Sequence, residues 1–136
     1  MDLIVLEGDP HIGKTETLNI VYQLLLQTGY TQIPGNFIDL ANNDFLDILQ
    51  GKFKVGIVTQ GDYAIGPCSV KNHILHLQSK GCGKAICACT LGGSKQKIKN
   101  AIALYPHITI SKIANSNISL RRIDNNKDAN TILALI

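Results

Sequence analysis

Leu3-Ile4-Val5-Leu6-Glu7-Gly8-Asp9-Pro10-His11-Ile12-Gly13-Lys14-Thr15-Glu16 is the stretch that decides how this chain is read. Four apolar residues form a short strand, and one residue later Gly8 to Thr15 spell G-x-x-x-x-G-K-[ST]. A strand feeding a glycine-bounded loop that opens a helix is a phosphate cradle, because the loop's N–H groups converge on phosphate oxygens and the helix N-terminus adds positive potential. On this reading Gly8, Asp9, Pro10, His11, Ile12, Gly13, Lys14, Thr15 and Glu16 line the nucleotide phosphates. Lys14 reaches the β- and γ-phosphates, and the Thr15 hydroxyl sits on magnesium. Gly8 and Gly13 stand where a side chain would block the turn or the phosphate. Glu16 adds a favourable charge to the first helical turn, with a metal role second.

Outward from the loop, Leu18, Val21, Leu24 and Leu25 recur at helical spacing until Gly29, so the first helix is expected from residue 13 or 14 to about 28. Phe37-Ile38-Asp39-Leu40 reads as either a brief strand or a loop packed on the core. Residues 44–50 and 53–59 are strand-like and separated by Gly51-Lys52, the spacing of a β-hairpin. The second run is the more continuously apolar, which predicts a central parallel strand with the first as an antiparallel edge. A helix is expected from about 68 to 80, a buried strand over 85–90, and a helix capped near Ser94 with Pro106 beyond its end. A last strand follows over 107–113 and a closing helix over about 126–136, with an asparagine-rich mobile loop between them. Strands alternating with helices predict an α/β fold of three layers, a mainly parallel sheet with one antiparallel edge strand and helices on both faces.

At 136 residues and 45% apolar content, the chain suits a single domain over residues 1–136. A net charge of +3 is too mild to indicate a nucleic-acid partner, and six of the eleven lysines, between Lys71 and Lys99, read as solvated surface. Cys68, Cys82, Cys87 and Cys89 include no C-x-x-C pair, and Cys87 and Cys89 share one face of a buried strand. Reduced core thiols, no secretory leader and no bilayer-length apolar run lead to the expectation of a cytoplasmic protein with no membrane partner. A homo-oligomer is left open.

Phosphoryl chemistry also needs magnesium held and the attacking oxygen oriented. A carboxylate is sought at the C-terminal end of the strand beside the phosphate loop. Here Gly56-Ile57-Val58-Thr59 runs on to Gln60-Gly61-Asp62, so the carboxylate comes three residues late. Asp62 can hold magnesium with Thr15 or take a proton from an acceptor, and Gln60 or Asp62 can position a water; the alternative is a plain turn. Arg121 and Arg122, the only arginines, suit charge neutralisation on a phosphoryl group but read first as a surface pair, and Lys95 is a weaker candidate. His73 and His76 read as helix surface, and no catalytic histidine is assigned, His11 included.

These features together resemble the P-loop NTPases, the small kinase-like members more than the motor-type ATPases. The run Lys54-Val55-Gly56-Ile57-Val58-Thr59-Gln60-Gly61-Asp62, with Gly81-Cys82 and Ile86-Cys87-Ala88-Cys89-Thr90, is similar to a group of uncharacterised bacterial ATP-binding proteins. The similarity runs over most of the chain, but only the phosphate loop is a specific motif. In that group an arginine tends to follow the cysteine-containing strand, where Leu91 stands here. The resemblance implies a P-loop fold and ATP binding, not a reaction; the residues read above add GTP as an alternative, Mg²⁺ as a cofactor, and Lys14, Asp62 and Gln60 as catalytic candidates. The expected activity is hydrolysis or phosphoryl transfer to a small acceptor; the alternative is a non-catalytic nucleotide sensor.

Overall fold

A computed structural model describes residues 1–93 and 95–136. Among them the chain forms β1 (Asp2–Gly8), α1 (Lys14–Gln27), β2 (Thr31–Gln32), β3 (Ile38–Ala41), β4 (Asp44–Gln50), β5 (Lys54–Val58), α2 (Val70–Ser79), β6 (Lys84–Thr90), α3 (Lys95–Ala103), β7 (His107–Ser111) and α4 (Ile118–Leu133). The expected helix cap at Ser94 lies outside the described residues.

Strand alternation builds two cores, one on each face of the sheet. Leu3 and Val5 of β1 face one way with Cys87 and Cys89 of β6, and meet Val70, Ile74 and Leu77 of α2 and Ile98 and Ile102 of α3. Ile4 and Leu6 face the other way and meet Leu18, Val21 and Leu25 of α1 and Ala129 and Ile132 of α4. Because neighbouring residues of a strand point to opposite faces, a continuous apolar run demands cover on both sides, and four helices supply it. The cysteines are free thiols, and burial pushes Cys87 up to about 12, so it behaves as an inert core side chain.

The sheet runs β2-β4-β5-β6-β1-β7, with β3 also on β4. Pairs β5–β6, β6–β1 and β1–β7 are parallel, whereas β2, β3 and β5 all pair with β4 antiparallel. The protein is therefore α/β with a mixed sheet of seven strands, not a mainly parallel one with a single antiparallel edge. The strand over 44–50 is interior, because Thr31–Gln32 and Ile38–Ala41 fold back and cover its outer side. Thus 38–41 is a strand rather than a loop.

Two further expectations are corrected. The closing helix begins at Ile118, so most of the asparagine-rich segment is helical rather than a mobile loop. Asn117 caps it, its Oδ1 accepting from Ser119 N and Leu120 N, and Asn126 and Asn130 donate back to carbonyls four residues earlier. Apolar Ile118, Leu120 and Ile123 are exposed, so no inward stripe marks those first turns in the sequence. A buried ion pair between Lys112 and Asp128 (3.0 Å), with Asp128 also accepting from Ile113 N, fastens α4 to the end of β7. Second, β5 is not beside β1: β6 lies between them.

Candidate functional site

Parallel strands β5, β6, β1 and β7 end along one edge of the sheet, and the antiparallel β4 begins there. That edge holds a cleft of about 650 Å³ lined by the glycine-bounded loop and the start of α1, Asn42 to Asp44, Thr59 to Tyr63, Thr90 and Arg121. Open α/β sheets place ligands at the carboxyl ends of their strands for this topological reason.

The loop from Gly8 to Gly13 is shaped by its glycines. Gly13 has φ +102°, a left-handed conformation that costs glycine little, and it serves as N-cap of α1. A Cβ at Gly8 would stand 2.6 Å from Ile12 Cδ1 and 3.0 Å from Lys112 Cβ. Lys14 Nζ arches back over the turn and donates to the carbonyls of Gly8 (3.0 Å) and Asp9 (2.6 Å). Its side chain is thereby held across the mouth of the loop. Burial lowers the Lys14 pKa, and the carboxylates of Asp62, Asp9 and Glu16 partly offset that. Asn125 of α4 packs against Gly13; its buried Oδ1 has no hydrogen-bond partner among the described residues.

The Thr15 hydroxyl donates to Asp44 Oδ1 at 3.1 Å, and the Thr59 hydroxyl donates to the same oxygen at 2.7 Å. Sequence reasoning misses Asp44 because it seeks carboxylates only where strands end. An antiparallel strand presents its first residue at the edge where parallel strands present their last, and Asp44 is the first residue of β4. The tight turn before it keeps Ala41, Asn42 and Asn43 at φ +70°, +53° and +66°, which asparagine tolerates and alanine resists. Asn42 and Asn43 both line the cleft.

Asp62 reaches the loop despite the intervening strand. Beyond β5, residues 59–62 cross the end of β6, where Thr90 N donates to Gly61 O (3.0 Å) and the Thr90 hydroxyl donates to Asp62 Oδ1. Leu91 N in turn donates to Gly8 O (3.0 Å). Gly61 permits this crossing, since any Cβ there would collide with the backbone carbonyl of Ala88. Gly61→Ala should therefore destabilise the protein by about 1–3 kcal/mol, as overpacking against rigid backbone does. Urea unfolding measures it, and a change below about 0.5 kcal/mol would show that the crossing has room to spare.

Gln60 is buried at the cleft wall, and its Oε1 lies 3.0 Å from His73 Nε2. His73 is thus not surface: it is 5% exposed. Burial chiefly, with His76 nearby, lowers its pKa; the Cys68 carbonyl and Asp44 act in the opposite sense. A histidine held neutral in the folded state contributes stability that is complete above its unfolded pKa of about 6.5 and declines as pH falls from there toward the lowered folded value. His73→Gln should flatten this part of the stability–pH curve, read as urea midpoints between about pH 7.5 and 5; an unchanged slope would assign the acid sensitivity to other groups.

Arg121 lies in the first turn of α4 rather than in a connection, donates to the Asn115 carbonyl through Nε and Nη2, and lines the cleft. Arg122 lines a second hollow with Glu16, Asn19 and Asn126, which meets the first at Glu16. Lys95 opens α3 and His11 stands within the loop at φ +61°.

No cluster of three or more histidine, cysteine or carboxylate side chains suited to a metal is present among the described residues. Magnesium does not require one, since it keeps waters and draws on phosphate oxygens beside one or two carboxylates. The hydroxyl of Thr15 and the carboxylate of Asp44, already in contact, are hard oxygen donors of that kind, and Asp62 lines the same cleft. No described helix is long and apolar enough to cross a membrane. Compared with known proteins, the chain matches no family model, no curated protein and no solved structure.

Proposed function

We propose that this cleft binds a nucleoside triphosphate, ATP or GTP, with Mg²⁺, in the manner of a P-loop NTPase, and hydrolyses it or passes the γ-phosphoryl group to a small acceptor. The observation that carries the reading is the pairing of two features in one loop: Lys14 is fastened across the loop carbonyls, and the next residue's hydroxyl rests on a carboxylate of another strand. A lysine used only for a surface charge has no reason to be 7% exposed with its amine on two loop carbonyls.

Each residue then has a distinct task. The loop amides and Lys14 neutralise the phosphates, which is the largest contribution where charge builds up in the transition state. Thr15 and Asp44 would hold magnesium, which when bound supplies further charge neutralisation at the phosphate oxygens. Asp62, which accepts from Thr90 and acts on the Lys14 amine, would take the proton of the attacking hydroxyl or water. Asp62 remains a second candidate ligand for the ion.

Titration calorimetry with Mg-ATP and Mg-GTP tests binding, and release of labelled phosphate, with and without acceptors, tests turnover. Binding in the low micromolar range or tighter is expected; a flat titration with both nucleotides would refute the site. The second reading, a sensor that binds but does not turn over, is favoured by one observation. The arginine that lines the cleft is already engaged on the Asn115 carbonyl rather than free to meet a transferring phosphoryl group. Tight binding with intact ATP after many hours would select it.

A further inference from the structure

Two stretches far apart in the chain share one spacing. Glu16, Asn19 and Ile20 stand at i, i+3 and i+4 on α1, and Arg122, Asn125 and Asn126 stand at i, i+3 and i+4 on α4, so each set occupies one face of its helix. The two helices pack on each other, and these six residues line a hollow of about 490 Å³. It joins the cleft at Glu16, which lines both. Lys14 and Thr15, read above as the holders of phosphate and magnesium, immediately precede that residue. The hollow is thus the adjoining space into which the rest of a nucleotide can extend.

Its chemistry is uneven. Asn19 Nδ2 donates to the Thr15 carbonyl at 3.0 Å, and Asn126 Nδ2 donates to the Arg122 carbonyl at 2.8 Å. A backbone carbonyl can only accept, so in both side chains the amide oxygen is the end left over for a ligand. The Glu16 carboxylate is a third acceptor. Arg122 is the one cation in the lining, and among the described residues the ion pairs are Lys99–Glu7 and Lys112–Asp128, so Glu16 and Arg122 line one hollow without pairing with each other. Asn125 is 6% exposed, packs against Gly13 of the loop, and has an Oδ1 that lacks a donor among the described residues. A buried amide oxygen in that condition is costly, and a hydrogen-bonding occupant relieves it. Ile20 adds apolar surface for the face of a ring.

A ligand that fits this set is flat, carries several N–H groups along one edge and has acceptors on another. Guanine has that pattern: N1–H and N2–H2 donate side by side, while O6 and N7 accept the paired N–H groups of a guanidinium. Adenine sets its N1 lone pair beside the N6 amine, so a carboxylate aligned on that edge meets an acceptor. We propose that the hollow between α1 and α4 seats the base of the bound nucleotide and selects guanine over adenine, with Glu16 and the Asn19 and Asn126 oxygens accepting from the N1–H and N2–H2 edge and Arg122 donating to O6 and N7. The inference rests on the reading of the cleft as a triphosphate site and deepens it, naming GTP as the nucleotide.

Titration calorimetry on the full chain, with Mg-GTP, Mg-ITP, Mg-ATP and magnesium tripolyphosphate, tests it. GTP should bind at least about tenfold tighter than either ATP or tripolyphosphate, the value of one hydrogen bond to a charged group, and ITP, which lacks the 2-amino group, should fall between GTP and ATP. A smaller ratio, or a preference for ATP, overturns the choice of guanine. Arg122 is exposed, so its replacement leaves the core untouched. Arg122→Ala should weaken GTP about tenfold while tripolyphosphate stays within about twofold, and Arg122→Lys, which keeps the charge but loses the paired donors, should recover only part of the loss. A guanine preference that Arg122→Ala leaves intact would place the base elsewhere. Tripolyphosphate binding as tightly as GTP would refute the hollow as a base site and spare the phosphate site, whereas four flat titrations would refute the nucleotide reading and this inference with it.

Discussion

Lys14→Ala should weaken Mg-ATP binding at least about a hundredfold, the equivalent of losing a charge-assisted contact of about 3 kcal/mol. The amine is held by the Gly8 and Asp9 carbonyls before any ligand arrives, so little side-chain entropy remains to be lost on binding. The fold should survive the change. The Gly8 carbonyl keeps the Leu91 N–H as its partner and the Asp9 carbonyl is only part-buried, so the variant should keep its unfolding free energy to within about 1 kcal/mol. Calorimetry beside urea unfolding separates the two effects. Parent-like affinity in a folded Lys14→Ala protein would move the ligand elsewhere on the molecule.

Asp44→Asn should abolish most of the magnesium dependence of nucleotide affinity, whereas Asp62→Asn should leave that dependence in place and reduce turnover by about a hundredfold or more. The distinction follows from what each carboxylate touches. Asp44 accepts from Thr15, the hydroxyl expected to sit on the metal, and from Thr59. Asp62 accepts from Thr90 and acts electrostatically on Lys14. An asparagine at 44 can still accept from the two threonines through its oxygen, so the fold is little disturbed while the charge that attracts a divalent ion is gone. Affinity for ATP measured with and without magnesium in each variant gives the answer. If Asp62→Asn, and not Asp44→Asn, loses the magnesium effect, the roles of the two carboxylates are exchanged.

The consequence for stability is asymmetric. Asp44 joins the start of α1 to the Thr59 segment, so Asp44→Ala leaves two hydroxyls without their acceptor and confounds binding with folding. The asparagine variant is the informative one.

Residues 2 to 27 are legible in the amino-acid sequence, because a strand, a loop with fixed glycines and an amphipathic helix are local matters. The buried strand over Lys84–Thr90 and the Gly51-Lys52 hairpin are legible for the same reason. What local patterns miss is long-range. The first turns of α4 carry exposed Ile118, Leu120 and Ile123 and are held by the Asn117 cap and by packing of the helix on α1, so periodicity has nothing to register. His73 reads as surface because two histidines three residues apart on a polar helix give no sign of which one meets Gln60.

By itself, the amino-acid order determined the glycine-bounded loop between β1 and α1, the α/β alternation and the place of Lys14 and Thr15 at the start of α1, since these depend on contacts only a few residues apart. Only the tertiary structure decided that β6 separates β5 from β1, that Asp62 crosses that gap over Gly61, and that Asp44 stands against Thr15. Strand order and direction determine which distant residues share an edge, and those are set by the packing of whole layers, which no local spacing encodes.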